Sequence, residues 1–143
     1  CFQRQETEAR KILTNAIYLI DEDVVINRIK FYGSPWQPRF HNFAFNLDRG
    51  AQIMERWRMI PNDTDVLVTA TPPFGHGDLT RDGYFVGCEE LMSRVEEIQP
   101  RLHIFGLIPE DYGISFNSKS AFLNVALSDR HYRIINKPQF YDL

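Results

Sequence analysis

The chain has little of what marks secreted or membrane-spanning proteins. It contains two cysteines in 143 residues, Cys1 and Cys88, and no Cys-x-x-Cys pair. Two distant cysteines are typical of free thiols in a reducing compartment, so we expect a cytoplasmic protein, with a bridge between them as the alternative. No apolar run approaches the roughly 18 residues of a membrane span. The first residues are polar and charged, and lack the apolar core of a signal peptide.

An excess of basic residues is also missing. The sequence has 16 Lys and Arg against 19 Asp and Glu, for a net charge of −3. Proteins that bind nucleic acid neutralise its phosphates with clustered cations, so we expect no nucleic-acid partner. Hydrophobic residues make up 43% and charged residues 24%, which is ordinary for a globular protein. The length fits one domain or half of a larger one.

Helical and strand-like patterns alternate along the chain. Apolar and β-branched runs predict strands over residues 16–20, 24–26, 29–32, 66–69, 102–105, 121–126 and 139–141. Apolar residues at helical spacing predict helices over residues 7–13, from an N-cap at Asp48 to Pro61, and over 88–98. Glycine and proline crowd residues 71–87, which predicts a long loop. This alternation indicates an α/β fold, with one mixed sheet and flanking helices.

Two segments are candidates for the functional site because each follows a buried strand. Residues 67–78 have the sequence Leu-Val-Thr-Ala-Thr-Pro-Pro-Phe-Gly-His-Gly-Asp. Residues 102–113 have the sequence Leu-His-Ile-Phe-Gly-Leu-Ile-Pro-Glu-Asp-Tyr-Gly. In α/β folds, ligands bind beyond the carboxyl ends of the strands. We therefore expect the functional residues to lie in these two segments.

These segments resemble the calcineurin-like metallophosphoesterases, and in particular their metallophosphoesterase-domain-containing branch. The resemblance includes Tyr-Gly-Ser-Pro-Trp at 32–36, Phe-Asn-Leu at 45–47 and Gly-Cys-Glu-Glu-Leu at 87–91, and it runs from about residue 13 to the end. It implies a four-layer α/β/β/α sandwich with a two-metal site between strand ends. Residues 1–143 would be the C-terminal half, with the N-terminal half absent from this chain. The missing initiator Met agrees with that expectation.

The resemblance also places three metal-site histidines in this half, and none of them is present. The family's Thr-His is Thr69-Ala70 here, and its Gly-His-x-His begins at Gly106 with Leu107 and Pro109 at the histidine positions. Alanine, leucine and proline side chains have no lone pair to offer a metal. We therefore expect no catalytic residue, no metal ligand and no cofactor in this chain. If a site persists, Mn, Fe or Zn is expected there.

The turn residues around these positions are retained, and they are Pro72, Pro73, Gly75, Gly106 and Gly113. A kept framework without donors predicts an inactive relative, a pseudoenzyme with a structural or protein-binding role. The alternative is a weak metal-dependent phosphodiesterase that acts on cyclic nucleotides or related phosphodiesters. Its ligands would come from the missing N-terminal half.

Three polar residues are candidates for residual phosphate or nucleotide contacts. His76 and Asp78 lie in the loop that should face the site, and Asn124 matches a family position near it. Each has a structural alternative: Asp78 would order backbone amides in the loop, and Asn124 would satisfy buried backbone groups. His103 lies within a predicted strand, where we expect a hydrogen-bonded core histidine.

Two further groups and one surface have open interpretations. Trp36, Phe40, Phe43 and Phe45 predict either a base-stacking platform or a packed hydrophobic loop, and Glu110-Asp111 predicts either an acid/base pair or a solvated turn. Half of a two-sheet sandwich would leave an apolar sheet face uncovered, and such a face must be buried. We therefore expect a protein partner, which is the chain's own N-terminal half or another protein.

Overall fold

A β-hairpin begins the sheet. The computed structural model describes residues 6–12 and 14–143, in which β1 (Glu22–Ile26) pairs antiparallel with β2 (Ile29–Ser34). The turn residues Asn27 and Arg28 have φ angles of 51° and 67°. Two consecutive positive φ angles match the twist of a two-residue hairpin. The predicted strands 24–26 and 29–32 both lie in this hairpin.

The main sheet has six strands in the order β1-β2-β5-β6-β8-β7. The remaining strands are β5 (Val66–Thr69), β6 (Leu102–Phe105), β7 (Gly113–Phe116) and β8 (Ala121–Asn124). The four central strands β2, β5, β6 and β8 run parallel, whereas the two edge strands are antiparallel to their neighbours. A small second sheet joins β3 (Gln37–Pro38) to β4 (Asn46–Leu47). The predicted mixed sheet is thus present.

Two helices cover one face of this sheet. The helices are α1 (Glu6–Ile12), α2 (Ala51–Trp57) and α3 (Glu89–Ile98), with a short 3₁₀ helix at Pro109–Asp111. The buried side chains of α2 and α3 form one hydrophobic cluster with side chains of the four central strands. Its members include Trp57, Ile53, Leu91, Val95, Tyr32, Leu67, Phe105 and Phe122. We call this side of the sheet the covered face. No described helix is long and apolar enough to cross a membrane.

The opposite side of the same strands is apolar and partly exposed. One row of laterally paired residues consists of Phe31, Val66, Leu102, Ala121 and Phe116. The next row consists of Gly33, Val68, Ile104, Leu123 and Ile114. Val66, Leu102, Ala121 and Leu123 form a second, smaller buried cluster at 0–4% exposure, whereas Val68, Ile114 and Phe116 are 37%, 47% and 62% exposed. We call these two rows the open face.

Two predicted strands are wrong. Residues 16–20 are apolar but are not in a strand. Leu19 packs across β2 at Gly33, where an added Cβ would lie 2.5 Å from the Leu19 Cβ. The run is therefore apolar because of packing across the sheet and not because of pairing within it. Residues 139–141 form no strand either, and Gln139 instead donates its side-chain N–H to the Asn124 carbonyl at 2.9 Å.

Several other elements differ from the prediction in their boundaries, and one strand was not predicted. The second helix begins at Ala51 after an N-cap at Gly50, because the carboxylate of Asp48 is paired with Arg39 at 2.6 Å instead of capping the helix. The helix predicted over 7–13 ends at Ile12, and residue 13 lies outside the described residues. The last predicted strand, 121–126, ends at residue 124. The edge strand β7, which was not predicted, has the short and weakly patterned sequence Gly-Ile-Ser-Phe.

Candidate functional site

The two candidate segments meet at the carboxyl ends of neighbouring strands. Val68 of β5 lies opposite Ile104 of β6, and Phe105 lies opposite Asn124 of β8. The chain leaves β5 into the first site loop, residues 70–87, and leaves β6 into the second site loop, residues 106–112. The candidate site is therefore the edge of the sheet where these two loops emerge.

The three positions matched to family histidines offer no metal donor. Ala70 and Leu107 are exposed at the strand ends, and Pro109 begins the 3₁₀ helix. Leu107 has a φ of 81°, a left-handed conformation that costs an L-residue with a Cβ about 1–2 kcal/mol. Within the described part of the chain, no three His, Cys, Asp or Glu side chains come together. The apolar side chains at these three positions do not fit a two-metal centre, which needs nitrogen or oxygen donors.

His103 is a hydrogen-bonded core residue, which confirms the prediction. The Thr69 hydroxyl donates its single proton to the Thr71 carbonyl at 2.7 Å. The His103 Nε2, 2.9 Å from the same hydroxyl oxygen, must therefore be the donor in that contact. Burial, with a smaller effect of His76, lowers the pKa of His103 to about 3, so its ring is neutral. Because the ring does not accept the proton of Thr69, this pair is not a nucleophile with its base.

Asp78 holds the first site loop together from within. Its side chain is fully buried, with Oδ1 accepting the Gly75 N–H at 3.1 Å and Oδ2 accepting the Gly87 N–H at 2.9 Å. A Cβ added to Gly87 would lie 2.6 Å from the same carboxylate oxygen. This is the backbone-ordering role that the sequence left open. A ligand could use this carboxylate only by displacing two hydrogen bonds.

Asn124 connects both site loops to the end of β8. Its Nδ2 donates to the carbonyls of Gly77, Ile108 and Asp111 at 2.9, 2.6 and 3.1 Å. Its Oδ1 accepts the Ala126 N–H at 3.0 Å, which fixes the orientation of the amide. The side chain is 1% exposed. The amide therefore satisfies buried backbone groups, the second alternative that the sequence left open.

His76 is the one candidate contact with an unused polar atom. Its ring stacks on Phe122 at 3.7 Å with an angle of 8° between the planes, and its Nδ1 lies 2.9 Å from the Ser115 hydroxyl. Burial lowers the pKa of this half-buried imidazole, and Asp78 opposes that effect. Among the described residues, no hydrogen bond is formed by its Nε2. Sequence reasoning missed Ser115, because a serine in an unpredicted edge strand carries no signal.

The aromatic loop divides into a packed and an exposed part. The Trp36 indole donates to Asp21 at 2.7 Å, lies 4.6 Å below the Arg56 guanidinium and meets Phe45 edge-on at 5.4 Å. Phe40 and Phe43 are 50% and 48% exposed and contact each other. The packed-loop interpretation therefore applies to Trp36. Sequence reasoning missed Asp21, whose carboxylate side chain is 8% exposed and holds this loop.

The Glu110-Asp111 turn and the Cys88 thiol also have environments that are explained by the fold. The Asp111 carboxylate accepts the Leu79 N–H at 2.9 Å, and the adjacent Glu110 is exposed. Cys88 is a free, buried thiol whose pKa burial raises to about 11, and it accepts a hydrogen bond from Trp57 at 3.3 Å. A thiol with so high a pKa is a poor nucleophile. Cys1 lies outside the described residues.

The chain is similar to longer proteins of animals. It is 40% identical over 136 residues to metallophosphoesterase domain-containing protein 1 of Homo sapiens, a match that covers 94% of this chain and 42% of that protein. It is 41% identical over 136 residues to a UPF0046 protein of Caenorhabditis elegans, covering 94% of this chain and 34% of the relative. A second UPF0046 protein of that species is 36% identical over 141 residues, a match that covers 95% of this chain and 50% of that protein. The chain thus spans a third to a half of the length of these relatives.

A solved structure with a similar fold is also found. A solved crystal structure superposes with a TM-score of 0.64 at 16% identity, over 87% of this chain and 51% of that one. No protein-family model matches the sequence. The relatives in three species each match 94% of this chain. Over the matched residues, the chain is related to the metallophosphoesterase domain-containing proteins.

Proposed function

We propose that this chain is the C-terminal half of a metallophosphoesterase-like domain that has lost hydrolase activity and has a structural or protein-binding role. The observation that carries the proposal is the chemistry of three positions at the strand ends. Ala70, Leu107 and Pro109 stand where the resemblance places imidazoles, and all three replacements are apolar. A two-metal phosphodiesterase needs donors there to hold the phosphate and to generate hydroxide.

The hydrogen bonds of the site loops support the same proposal. Asp78 closes the first site loop, and Asn124 connects both loops to β8. These bonds join side chains to backbone groups of the chain itself. The loops therefore keep their arrangement without ligand atoms converging on a metal. A framework held in this way is compatible with loss of the metal donors.

The open face supports a protein-binding role. Apolar rows cross five strands, and the members Ile114 and Phe116 are 47% and 62% exposed. An exposed apolar sheet face of this kind is normally buried against another layer. In the proposed arrangement a second sheet packs there and completes a four-layer α/β/β/α sandwich. The layer comes from the N-terminal half of the polypeptide or from another protein.

The decisive experiment is elemental analysis by mass spectrometry on the full-length protein purified from its native source. The proposal predicts no stoichiometric transition metal. It also predicts no turnover of bis-p-nitrophenyl phosphate in excess Mn²⁺. One or two bound Mn, Fe or Zn ions per chain together with metal-dependent turnover would overturn it. That result would establish the alternative, a phosphodiesterase with ligands from the N-terminal half.

A second candidate function, nucleotide binding without hydrolysis, is favoured by one observation. The Nε2 of His76 is unused, and its half-buried ring is fixed by Phe122 and Ser115. A pre-oriented imidazole N–H is a suitable donor to a phosphate oxygen. Calorimetric titration with AMP and GMP tests this candidate. Binding should weaken in His76→Phe, which keeps the stack and removes the donor, and stay unchanged in His41→Phe, which alters an exposed histidine.

A further inference from the structure

A polar cavity lies where both site loops meet the C-terminal segment of the chain. It has a volume of about 390 Å³, which is within the size range of small-molecule sites in proteins. Residues 80–82 of the first site loop, residues 109–110 of the second site loop and residues between 129 and 135 form its walls. We call it the loop cavity. Its lining includes Pro109 but neither Ala70 nor Leu107, so it is not the place of the three matched histidines.

Hydrogen bonds within the chain fix each wall of the loop cavity. Thr80 donates its N–H to the Tyr84 carbonyl at 2.9 Å, and its hydroxyl accepts the Tyr84 N–H at 3.1 Å. Leu79 donates to the Asp111 carboxylate at 2.9 Å, which joins the first wall to the second. The third wall is a turn over residues 129–133, closed by a backbone hydrogen bond of 3.0 Å between its ends. The cavity is therefore formed before any ligand arrives.

One pair of charges in these walls is already matched. The Asp129 carboxylate accepts hydrogen bonds from Nε and Nη2 of Arg133 at 2.8 and 2.6 Å. It also accepts the backbone N–H groups of His131 and Arg133 at 2.8 and 3.0 Å. The Arg133 side chain is the main cause that lowers the pKa of Asp129 to about 2, and the two backbone bonds add to it. This carboxylate is thus ionised and engaged at both oxygens, which leaves it unavailable to a ligand.

Two guanidinium groups and two carboxylates of the lining remain unmatched. Among the described residues, no ion pair involves Arg81, Arg130, Asp82 or Glu110, although all four line the cavity. Arg130 donates its Nε to the His131 ring at 3.2 Å, which leaves its two Nη groups for other partners. An apolar occupant would remove water from these charges without replacing it. A simple anion would be attracted by the guanidinium groups and repelled by the carboxylates.

We propose that the loop cavity binds a zwitterionic ligand of amino-acid or short-peptide size. Its carboxylate pairs with Arg81 and Arg130, because guanidinium groups bind carboxylates through two parallel hydrogen bonds. Its ammonium group donates to Asp82 and Glu110. Such a ligand matches both signs of charge in the lining at once. The inference is independent of the proposed function, since it involves neither the metal donors nor the open face.

Calorimetric titration of the full-length protein with trialanine tests this inference. Two matched peptides each lack one charge: N-acetyl-trialanine keeps the carboxylate, and trialanine amide keeps the ammonium group. We expect saturable binding of trialanine and at least about tenfold weaker binding of each blocked peptide, because each loses its hydrogen bonds to one pair of charged groups. Equal binding of trialanine and either blocked peptide would overturn the inference, since one charge would then suffice. Absence of saturable heat up to about 10 mM trialanine would also overturn it.

Substitutions of exposed side chains locate the binding. Arg81→Gln and Glu110→Gln each remove one charge from the loop cavity. Each should weaken trialanine binding at least about threefold, because the second group of the same sign remains. Arg101→Gln and Glu96→Gln are the controls, since these residues are also exposed but lie just before β6 and on α3, outside the cavity lining. Unchanged affinity in both cavity variants, or equal losses in the controls, would overturn the inference.

Discussion

The covered and open faces belong to the same strands, yet they differ in what surrounds them. On the covered face, Leu67, Phe105 and Phe122 are at most 1% exposed, beneath α2 and α3. On the open face, Val66 and Leu123 are buried in a smaller cluster, whereas Val68 near the end of β5 and Ile114 on the edge strand β7 are 37% and 47% exposed. Side chains of a strand point alternately to opposite sides, so the same strands contribute to a face covered by helices and to a face that is exposed at its strand ends and its edge.

The polar groups of the site follow the same division. His76, His103 and Asn124 are held on the covered side by hydrogen bonds within the chain. The matched histidine position Ala70 instead lines a mainly apolar cavity together with residues 17–20, Gly33 and Val68. The chain therefore maintains its framework through one face and presents apolar surface through the other. The predictions below test this division, beginning with the largest expected effect.

Truncation of a core side chain should separate the two faces most clearly. Trp57→Ala removes a fully buried side chain from the covered face and should lower the free energy of unfolding by about 3–5 kcal/mol. Phe116→Ala removes a comparably large aromatic from the open face, where the native residue is 62% exposed. In this chain alone its effect should stay below about 1 kcal/mol. Urea unfolding of both variants checks the comparison, and equal losses would contradict it.

Asn124→Leu should destabilise nearly as strongly. The substitution leaves three carbonyls and the Ala126 N–H without the amide, in a position that is 1% exposed. Unpaired buried polar groups cost about 1–3 kcal/mol each, and partial relaxation should hold the total near 3 kcal/mol. Asn46→Leu is the matched control, because that amide also makes three backbone contacts but lies in a more open loop. If the two substitutions lower the free energy of unfolding by equally small amounts, Asn124 does not hold the site loops.

Acid should weaken the covered face through His103. Its pKa falls from 6.5 to about 3 on folding, so the unfolded chain binds a proton below pH 6.5 that the folded chain excludes. The contribution of His103 to the free energy of unfolding is therefore fully present above pH 6.5 and decreases as the pH falls towards 3. The expected loss between about pH 7.5 and pH 5 is about 2 kcal/mol from this group.

The control for the acid effect is His103→Gln, which keeps a side chain that can donate to Thr69 and removes the titration. Urea unfolding at several pH values should show a smaller pH dependence in this variant than in the parent chain. His76, whose pKa is also lowered, would account for part of the remainder. A pH dependence that is unchanged in His103→Gln would mean that other groups control acid stability.

Part of this architecture could be predicted from the sequence because burial leaves a local signature. Residues 66–69 and 102–105 were predicted as strands with the observed boundaries, since parallel central strands are apolar on both sides. The apolar run 16–20 has the same signature for another reason, the packing of Leu19 on Gly33. Composition alone therefore does not distinguish an apolar run that pairs within a sheet from one that packs across it.

The polar residues of the site show a second limit. The identities of Asp78 and Asn124 predicted either ligand contacts or backbone support, and only the positions of the surrounding N–H and carbonyl groups favour support. Those positions depend on loops that are far apart in sequence. The role of Asp21, and the left-handed backbone at Leu107, likewise depend on tertiary contacts that have no local pattern.

The smallest expected effect concerns that left-handed backbone. Leu107 holds a φ of 81° with its side chain 40% exposed, so it bears conformational strain and gains little from burial. Leu107→Gly removes strain of about 1–2 kcal/mol. The greater freedom of glycine in the unfolded chain costs about 0.5–1 kcal/mol, which leaves a net stabilisation of about 0–1.5 kcal/mol. Leu127→Gly is the control, since Leu127 has similar exposure, at 42%, and is not among the residues with positive φ. It should destabilise the chain, so opposite signs in the two melting curves would show that the second site loop keeps a strained shape after losing its donors. If Leu107→Gly also destabilised the chain, the Leu107 side chain would have to contribute packing at this site that outweighs the relief of strain.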